Sequence, residues 1–397
     1  MKKCASVILG ADENAYACAR GLYTLTGERP IVLCSRPLPP TSHSHILDRR
    51  VIPELDNASV FKSVLSETLQ TLLVEYEKTV VIPCSDYYAE LLICEAELRR
   101  KYISNPIVSE SVYGRFKTKA DFKTLCDELG ISHPKTEIII PSAELSCKTE
   151  RSYPLVLKPS NSNSSEYLHS GIRNRKKVYI CESEQELREA LTSFVLDGYN
   201  RPAVIQEYIE GDESSYRVIN AYCDARSRVR LIGVGVPLIE YRDSSMIGNY
   251  AAVRSVKDRA LCDMAADILE GIGYVGFANF DVKISPVTGQ TMFFELNPRQ
   301  GRSSYFINAA GGDLMGEMYR DAVLEQPYTG RHYAENEAIW LNEPKAAIAR
   351  AMRRRGLDAD AVMVLRAVTA MTLSYDISLP RTLTLIKRGL GSFLREI

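Results

Sequence analysis

The 397-residue sequence has no run of about 18 apolar residues, so no membrane-spanning helix is expected. Charge of one sign is not in excess. Forty-nine lysines and arginines face 50 aspartates and glutamates, a formal net charge of −1, which gives no basic footprint for nucleic-acid binding. The ten cysteines stand singly from Cys4 to Cys262 with no C-x-x-C pair. That pattern argues against a disulfide frame or a thiolate zinc site and fits reduced, buried thiols in a cytoplasmic protein. No G-x-x-x-x-G-K-S/T run exists, hence no P-loop, and Gly10 opens no G-x-G-x-x-G fingerprint, which weakens a dinucleotide site. Internal repeats and low-complexity segments are missing as well. Met1-Lys2-Lys3 and the apolar run after it resemble the start of a secretory signal. Asp12 and Glu13 break that run too early, so Ala5 to Leu9 reads as a first strand.

What is present is ordinary globular composition, 45% hydrophobic and 25% charged. The length suggests roughly two or three domains. Up to about residue 110, short apolar strands (Ala5–Leu9, Pro30–Cys34, Thr79–Pro83) alternate with helical patterns (Ala15–Leu25, Phe61–Glu77, Tyr87–Glu97). That order predicts a parallel α/β sheet, a Rossmann-like domain over 1–110, with any ligand outside the carboxyl ends of its strands. Those ends carry Asp12 and Asn14, then Ser85 and Asp86, each of which has a plain reading as a helix cap. A second, α+β unit follows over 111–330. It opens with a helix from Lys117 to Leu129, closed by Gly130, and continues with strands at Pro154–Lys158, Val178–Cys181, Val204–Tyr208, Tyr216–Cys223 and Arg228–Gly235. Helices fall at Glu184–Leu196 and Asp258–Ile272. From 331 to 397 the pattern is helical and basic.

One hairpin concentrates the chemistry. Phe277 to Ile284 alternates, turns at Ser285–Gly289, and returns from Thr291 to Leu296 before Asn297-Pro298-Arg299. Residues two apart in a strand point the same way, so Asn279, Asp281 and Lys283 share a face with Glu295 and Asn297. Two carboxylates and an amide oxygen beside cations form a hard-oxygen site suited to Mg²⁺ with polyphosphate. Upstream, Lys158 ends an apolar strand and leads into the polar loop Asn161–Ser165, whose amides and hydroxyls suit phosphate oxygens. Val204 to Glu213 is a strand, a hinge and an acidic glycine turn, an arrangement suited to an adenine edge and ribose hydroxyls.

Taken in order, Lys119, Lys158, the Asn161–Ser165 loop, Gln206 to Glu213, Asp281, Glu295, Asn297 and Arg299 resemble the ATP-grasp superfamily, over roughly Lys117 to Gly312. The segments Gly10–Arg20 and Pro40–Ser44 look like its carboxylate–amine ligase branch. The resemblance implies a Rossmann-like domain preceding an ATP-grasp domain of two α+β subdomains, with a helical C-terminal extension. It implies ATP and Mg²⁺ as cofactors. Lys119, Lys158, Ser162 and Ser164 would contact phosphates. Gln206 and the backbone of Glu207 and Ile209 would hold adenine, and Glu213 the ribose. Asp281, Glu295 and Asn297 would hold the metal, and Arg299 would steady the transferring group. Gln206 departs from the glutamate many relatives have, and nearby Lys117 blurs the assignment of Lys119. Substrate groups would come from Asp12, Asn14, Ser42, His43, Ser85, Asp86, Arg254 and Arg302.

The implied activity is ATP-dependent amide formation through an acyl phosphate. The donor would be D-aspartate or another amino acid, and the acceptor the amine of a peptidoglycan precursor, a UDP-linked muramyl peptide. A small dipeptide-like product, bicarbonate activation, or nucleotide binding without catalysis remain open from the sequence. So do a homodimer and the role of the tail. Leu383 to Ile397 reads either as a basic amphipathic helix packed on the ATP domain or as one lying on a membrane surface.

Overall fold

The computed structural model describes residues 2–141, 151–161, 176, 178–196, 199, 201–241, 246, 248–357, 364–371 and 376–395. The chain begins with β1 (Lys2–Leu9), β2 (Ile31–Cys34), β3 (Asp48–Val51) and β4 (Tyr76–Pro83), a parallel sheet in the order β3-β2-β1-β4. Alternate residues of β1 enter different cores. Ile8 joins Tyr16 and Leu22 on one face, while Val7 and Leu9 join Phe61 and Leu65 on the other. Both faces are therefore covered, as parallel sheets require. The helix Glu13–Thr26 follows β1, capped by Asp12 and closed by Gly27 at φ 72°. The helix Asp86–Cys94 follows β4 with Ser85 as its cap.

A second, antiparallel sheet is small. It comprises β5 (Thr136–Ile139), β6 (Leu155–Pro159), β7 (Tyr179–Cys181) and β8 (Ala203–Glu207), in the order β5-β8-β6-β7. The helix Glu184–Leu196 covers it with Leu187, Leu191 and Phe194, the stripe its periodicity predicts. The third sheet is the largest. It contains β9 (Tyr216–Cys223), β10 (Val229–Glu240), β11 (Tyr250–Val256), β12 (Gly276–Ile284), β13 (Thr291–Asn297), β14 (His332–Tyr333) and β15 (Ile339–Leu341). Its order is β13-β12-β9-β10-β11-β15, with β14 also on β10. One face packs Val218, Tyr222, Leu231 and Val253 into the same core as Ile8 and Tyr16. The other packs Ile219, Phe280 and Phe293 against the helix Arg259–Gly271 and against Phe122 and Leu125.

Three strands escape the sequence pattern. β3 is a four-residue edge, β5 is equally short, and β11 (Tyr-Ala-Ala-Val-Arg-Ser-Val) is alanine-rich and interrupted by Arg254. The region from 331 onward also needs correction. It does become helical, at Lys345–Arg354 and Leu379–Arg395. Before that, β14 and β15 extend the large sheet. Strands of two or three residues carry too little periodicity to be read.

Candidate functional site

β12 and β13 set the center of the site. Asp281 lies directly opposite Glu295, and Asn279 opposite Asn297. The register then slips, with Val282 opposite Phe293, so Phe294 is an extra residue on β13. Such a bulge re-aims its neighbors. Lys158, from β6 of the small sheet, lies with Nζ 5.2 Å from the center of the Phe294 ring. Lys158 also donates to Gln206 Oε1 at 3.1 Å, and Gln206 Nε2 donates to Thr136 Oγ1 at 2.9 Å. Burial lowers the Lys158 pKa to about 8, assisted by Lys119 and opposed by Glu295 and Asp281. An anion beside this amine would favor its charged form.

Lys119 is the first residue of the helix Lys119–Leu129. A capping box between Thr118 and Asp121 fixes where that helix starts. The Lys119 amide donates to the Ser160 carbonyl at 3.0 Å and the Ala120 amide to Ser160 Oγ at 3.2 Å, which ties the helix to the end of β6. Lys119 Nζ lies 3.7 Å from Glu295, whereas Lys117 pairs with Glu90 at 2.6 Å. Of the two lysines, Lys119 is the one at the cluster.

Arg299 follows β13 and grips Asp86 with two nitrogens, at 2.8 and 2.9 Å. This bidentate pair joins the helix after β4 to the end of the hairpin. Asp281 is pushed up to about 7 by burial and then by the facing Glu295, with Asp86 adding to the push while Arg299 and Lys119 pull it down. The Asn297 amide is 3.3 Å from the Asn279 side chain on one side and 3.3 Å from oxygens of Asp86 and Glu295 on the other. Turned over, its nitrogen would donate to both carboxylates. Left as it stands, amide and carboxylate oxygens converge, an arrangement that a hard cation satisfies. Among the described residues no three His, Cys, Asp or Glu side chains form a metal-holding group. The two facing carboxylates and the amide are hard oxygen donors of a kind that would fit Mg²⁺.

A second cluster sits where β1 ends. Asp12 accepts from the Ala15 amide at 3.0 Å, which bears out a capping role. Arg302 pairs with Glu13 at 2.8 Å and lies 3.7 Å from Asp12. Burial acts against the Glu13 charge, but Arg302 and Arg388 outweigh it and lower its pKa. Burial and then Glu13 raise Asp12 to about 6. Asn14 donates to the Gln300 carbonyl at 3.3 Å, and Asn220 Oδ1 accepts the Gly301 amide at 2.6 Å. A side chain on Gly301 would meet Asn279 Nδ2 at 2.9 Å, so only glycine fits this approach.

Other expected residues fall elsewhere. Ser42 accepts from Arg49 at 2.7 Å, and exposed His43 accepts Ser378 through its carbonyl at 3.1 Å. Their contacts are with Arg49 and the C-terminal helix rather than with the Asp281–Glu295 cluster. Ser85 caps its helix, its Oγ accepting the Tyr88 amide. Arg254 is not brought to the cluster. Val253 faces the core shared with Val218, so Arg254 points to the opposite face, where its charge acts on Arg217. The Glu207 amide donates to Lys135, the Ile209 carbonyl accepts Lys283 Nζ at 2.7 Å, and Glu213 is paired with Arg355. Ser162 and Ser164 lie outside the described residues. Sequence reasoning missed Glu13 and Arg388. Glu13 stood between two residues that were singled out, whereas nothing local marks Arg388, 375 positions away.

A family model described as an ATP-grasp domain matches residues 122–303, which takes in Lys158, Gln206, Asp281, Glu295 and Arg299. D-aspartate ligase of Enterococcus faecium (strain Aus0004) is 33% identical over 348 residues, 85% of this chain and 82% of its own. Among solved structures, the L-amino acid ligase of Bacillus licheniformis superposes with a TM-score of 0.58 at 14% identity, over 81% of this chain and 75% of its own. The biotin carboxylase domain of Hydrogenobacter thermophilus 2-oxoglutarate carboxylase, solved with MgADP, ADP and bicarbonate, gives 0.62 at 16%, over 84% and 73%. The two structures speak for the fold, and the Enterococcus relative for kinship. The chain belongs to the ATP-grasp family, among its ATP-dependent carbon–nitrogen ligases.

Proposed function

We propose that this ligase activates an amino-acid carboxylate as an acyl phosphate and passes it to an amine. D-aspartate is the leading donor, and the amine of a UDP-linked muramyl peptide, a peptidoglycan precursor, the leading acceptor. The observation that carries this reading is the meeting of Asp281, Glu295 and Asn297 with Lys119, Lys158 and Arg299. Mg²⁺ would be held by Asp281, Glu295 and Asn297, and when bound it offsets charge on the ATP phosphates. Lys119 and Lys158 hold the phosphates between the small and large sheets. Gln206, with the backbone at Glu207 and Ile209, borders the adenine, and Glu213 exchanges Arg355 for the ribose.

Phosphoryl transfer depends on position and charge more than on covalent protein chemistry, so no protein nucleophile is required. Arg299 swings between Asp86 and the transferred phosphoryl group. Arg302, anchored by Glu13, offers the donor acid a cation at the end of β1. Hydroxylamine trapping with ATP and a panel of acids tests the reading. A hydroxamate with D-aspartate is expected. A hydroxamate with a different acid replaces the donor, and none with any acid, alongside ADP release, removes the acyl phosphate.

A further inference from the structure

We propose that the outward face of the C-terminal helix Leu379–Arg395 is a docking surface for an anionic lipid bilayer. The helix is mounted in the reverse of the usual sense. Its polar side faces the protein. Arg381 is buried, donates to the carbonyls of Pro40 and Ser42 at 2.8 and 3.1 Å, and lies 4.2 Å from the center of the Tyr16 ring. One turn pair further on, Arg388 pairs with Glu13 at 2.7 Å and Glu343 at 3.4 Å. Leu379, Leu383, Ile386 and Leu390 instead face solvent, 74%, 58%, 49% and 58% exposed. Their spacing of four, three and four residues makes one continuous stripe. Helices on a globular core bury such a stripe; here ion pairs hold the helix and the stripe is left outside.

Charge selects the occupant. Residues 345–395 carry ten lysines and arginines against three aspartates, in a chain of net charge −1, and Arg355, Arg381 and Arg388 of these turn to partners within the protein. Lys387 is exposed beside the stripe, and Arg350, Arg353 and Arg354 are exposed on the neighboring helix. The groove between the two helices is apolar, lined by Ala346, Ala347, Leu385 and Leu390. A second copy would bring the same cations against one another, whereas an anionic headgroup layer complements them. No described helix is long and apolar enough to cross a membrane, so the helix would lie in the interface with its leucines at the acyl boundary.

Sedimentation of the full chain with phosphatidylglycerol vesicles, and with phosphatidylcholine vesicles, tests the surface. Binding to the anionic vesicles is expected to be at least tenfold the stronger and to fall at least tenfold in the Leu383→Glu/Ile386→Glu double variant. Both positions are exposed, so melting temperature and ADP release should stay unchanged in that variant. Lys387→Glu should weaken binding on its own. The proposal is overturned if wild type ignores anionic vesicles or if the double variant binds equally well. It is also overturned if sedimentation velocity shows that the double variant dissolves a self-association while leaving vesicle binding intact. Vesicle binding and acid activation are read separately, so either can fail without the other.

Discussion

At the residue scale, the Asp281–Glu295 pair is the most sensitive point. Glu295 is half-exposed, so Glu295→Ala should leave the fold intact while lowering the ADP-forming rate by roughly 100-fold or more, the scale of losing one preorganised charge partner. Steady-state ADP release against an unchanged melting temperature checks it. Asp281 makes a pH prediction. Burial and the facing Glu295 raise its carboxyl from the ordinary 3.8 to about 7 on folding, so the native state holds an extra proton between those values. Stability from this group is present below the unfolded value and is lost as pH rises toward the folded one. Ligand-free protein should therefore melt at a lower temperature at pH 7.5 than at pH 5 on account of this group, and Asp281→Asn should flatten the difference. A bound divalent cation needs the ionised carboxylate, so magnesium should bind more weakly below about pH 6 and release protons on binding.

At the element scale, the helix Lys119–Leu129 shows how local rules deliver a site residue. Thr118 and Asp121 satisfy each other's backbone groups, and this decides that Lys119 falls at the first helical position. Thr118→Ala should lower stability by about 1 kcal/mol, the usual cost of a lost cap. It should also raise the KM for ATP, because Lys119 loses its fixed start; Thr118→Ser should restore both. Denaturant unfolding and ATP titration measure the pair of effects. The same element separates Lys119 from Lys117, which the sequence leaves ambiguous. Thr118 is the extended cap, so Lys117 stays outside the helix and reaches Glu90 while Lys119, inside it, reaches Glu295.

At the scale of the whole molecule, the chain's two ends meet at Glu13. The carboxylate is held by Arg302 from the loop after β13 and by Arg388 from the C-terminal helix. Removing Arg388 leaves Glu13 with Arg302 alone and takes a cation from Glu343, so Arg388→Ala should cost roughly 2 kcal/mol, less than a fully orphaned buried charge. Glu13→Gln in that background should recover part of the loss. Thermal unfolding of the double-mutant cycle gives the coupling directly. A loss no greater in Arg388→Ala than in a surface control would show that the C-terminal helix is not anchored through Glu13.

The hairpin, the lysine-ended strand β6 and the α/β order of the first hundred residues were set by sequence alone. Strand alternation and capping are local rules, and they put Asp281 opposite Glu295 and Asp12 at a helix start. Tertiary structure decided what local rules cannot see. It sent Arg254 to the far face of the large sheet, because a strand's facing depends on which neighbor covers it. It paired Arg299 with Asp86 across 213 residues and Arg388 with Glu13 across 375. It also turned the C-terminal helix so that its leucines face outward, since the amphipathic pattern names two faces but only packing assigns which one meets the protein.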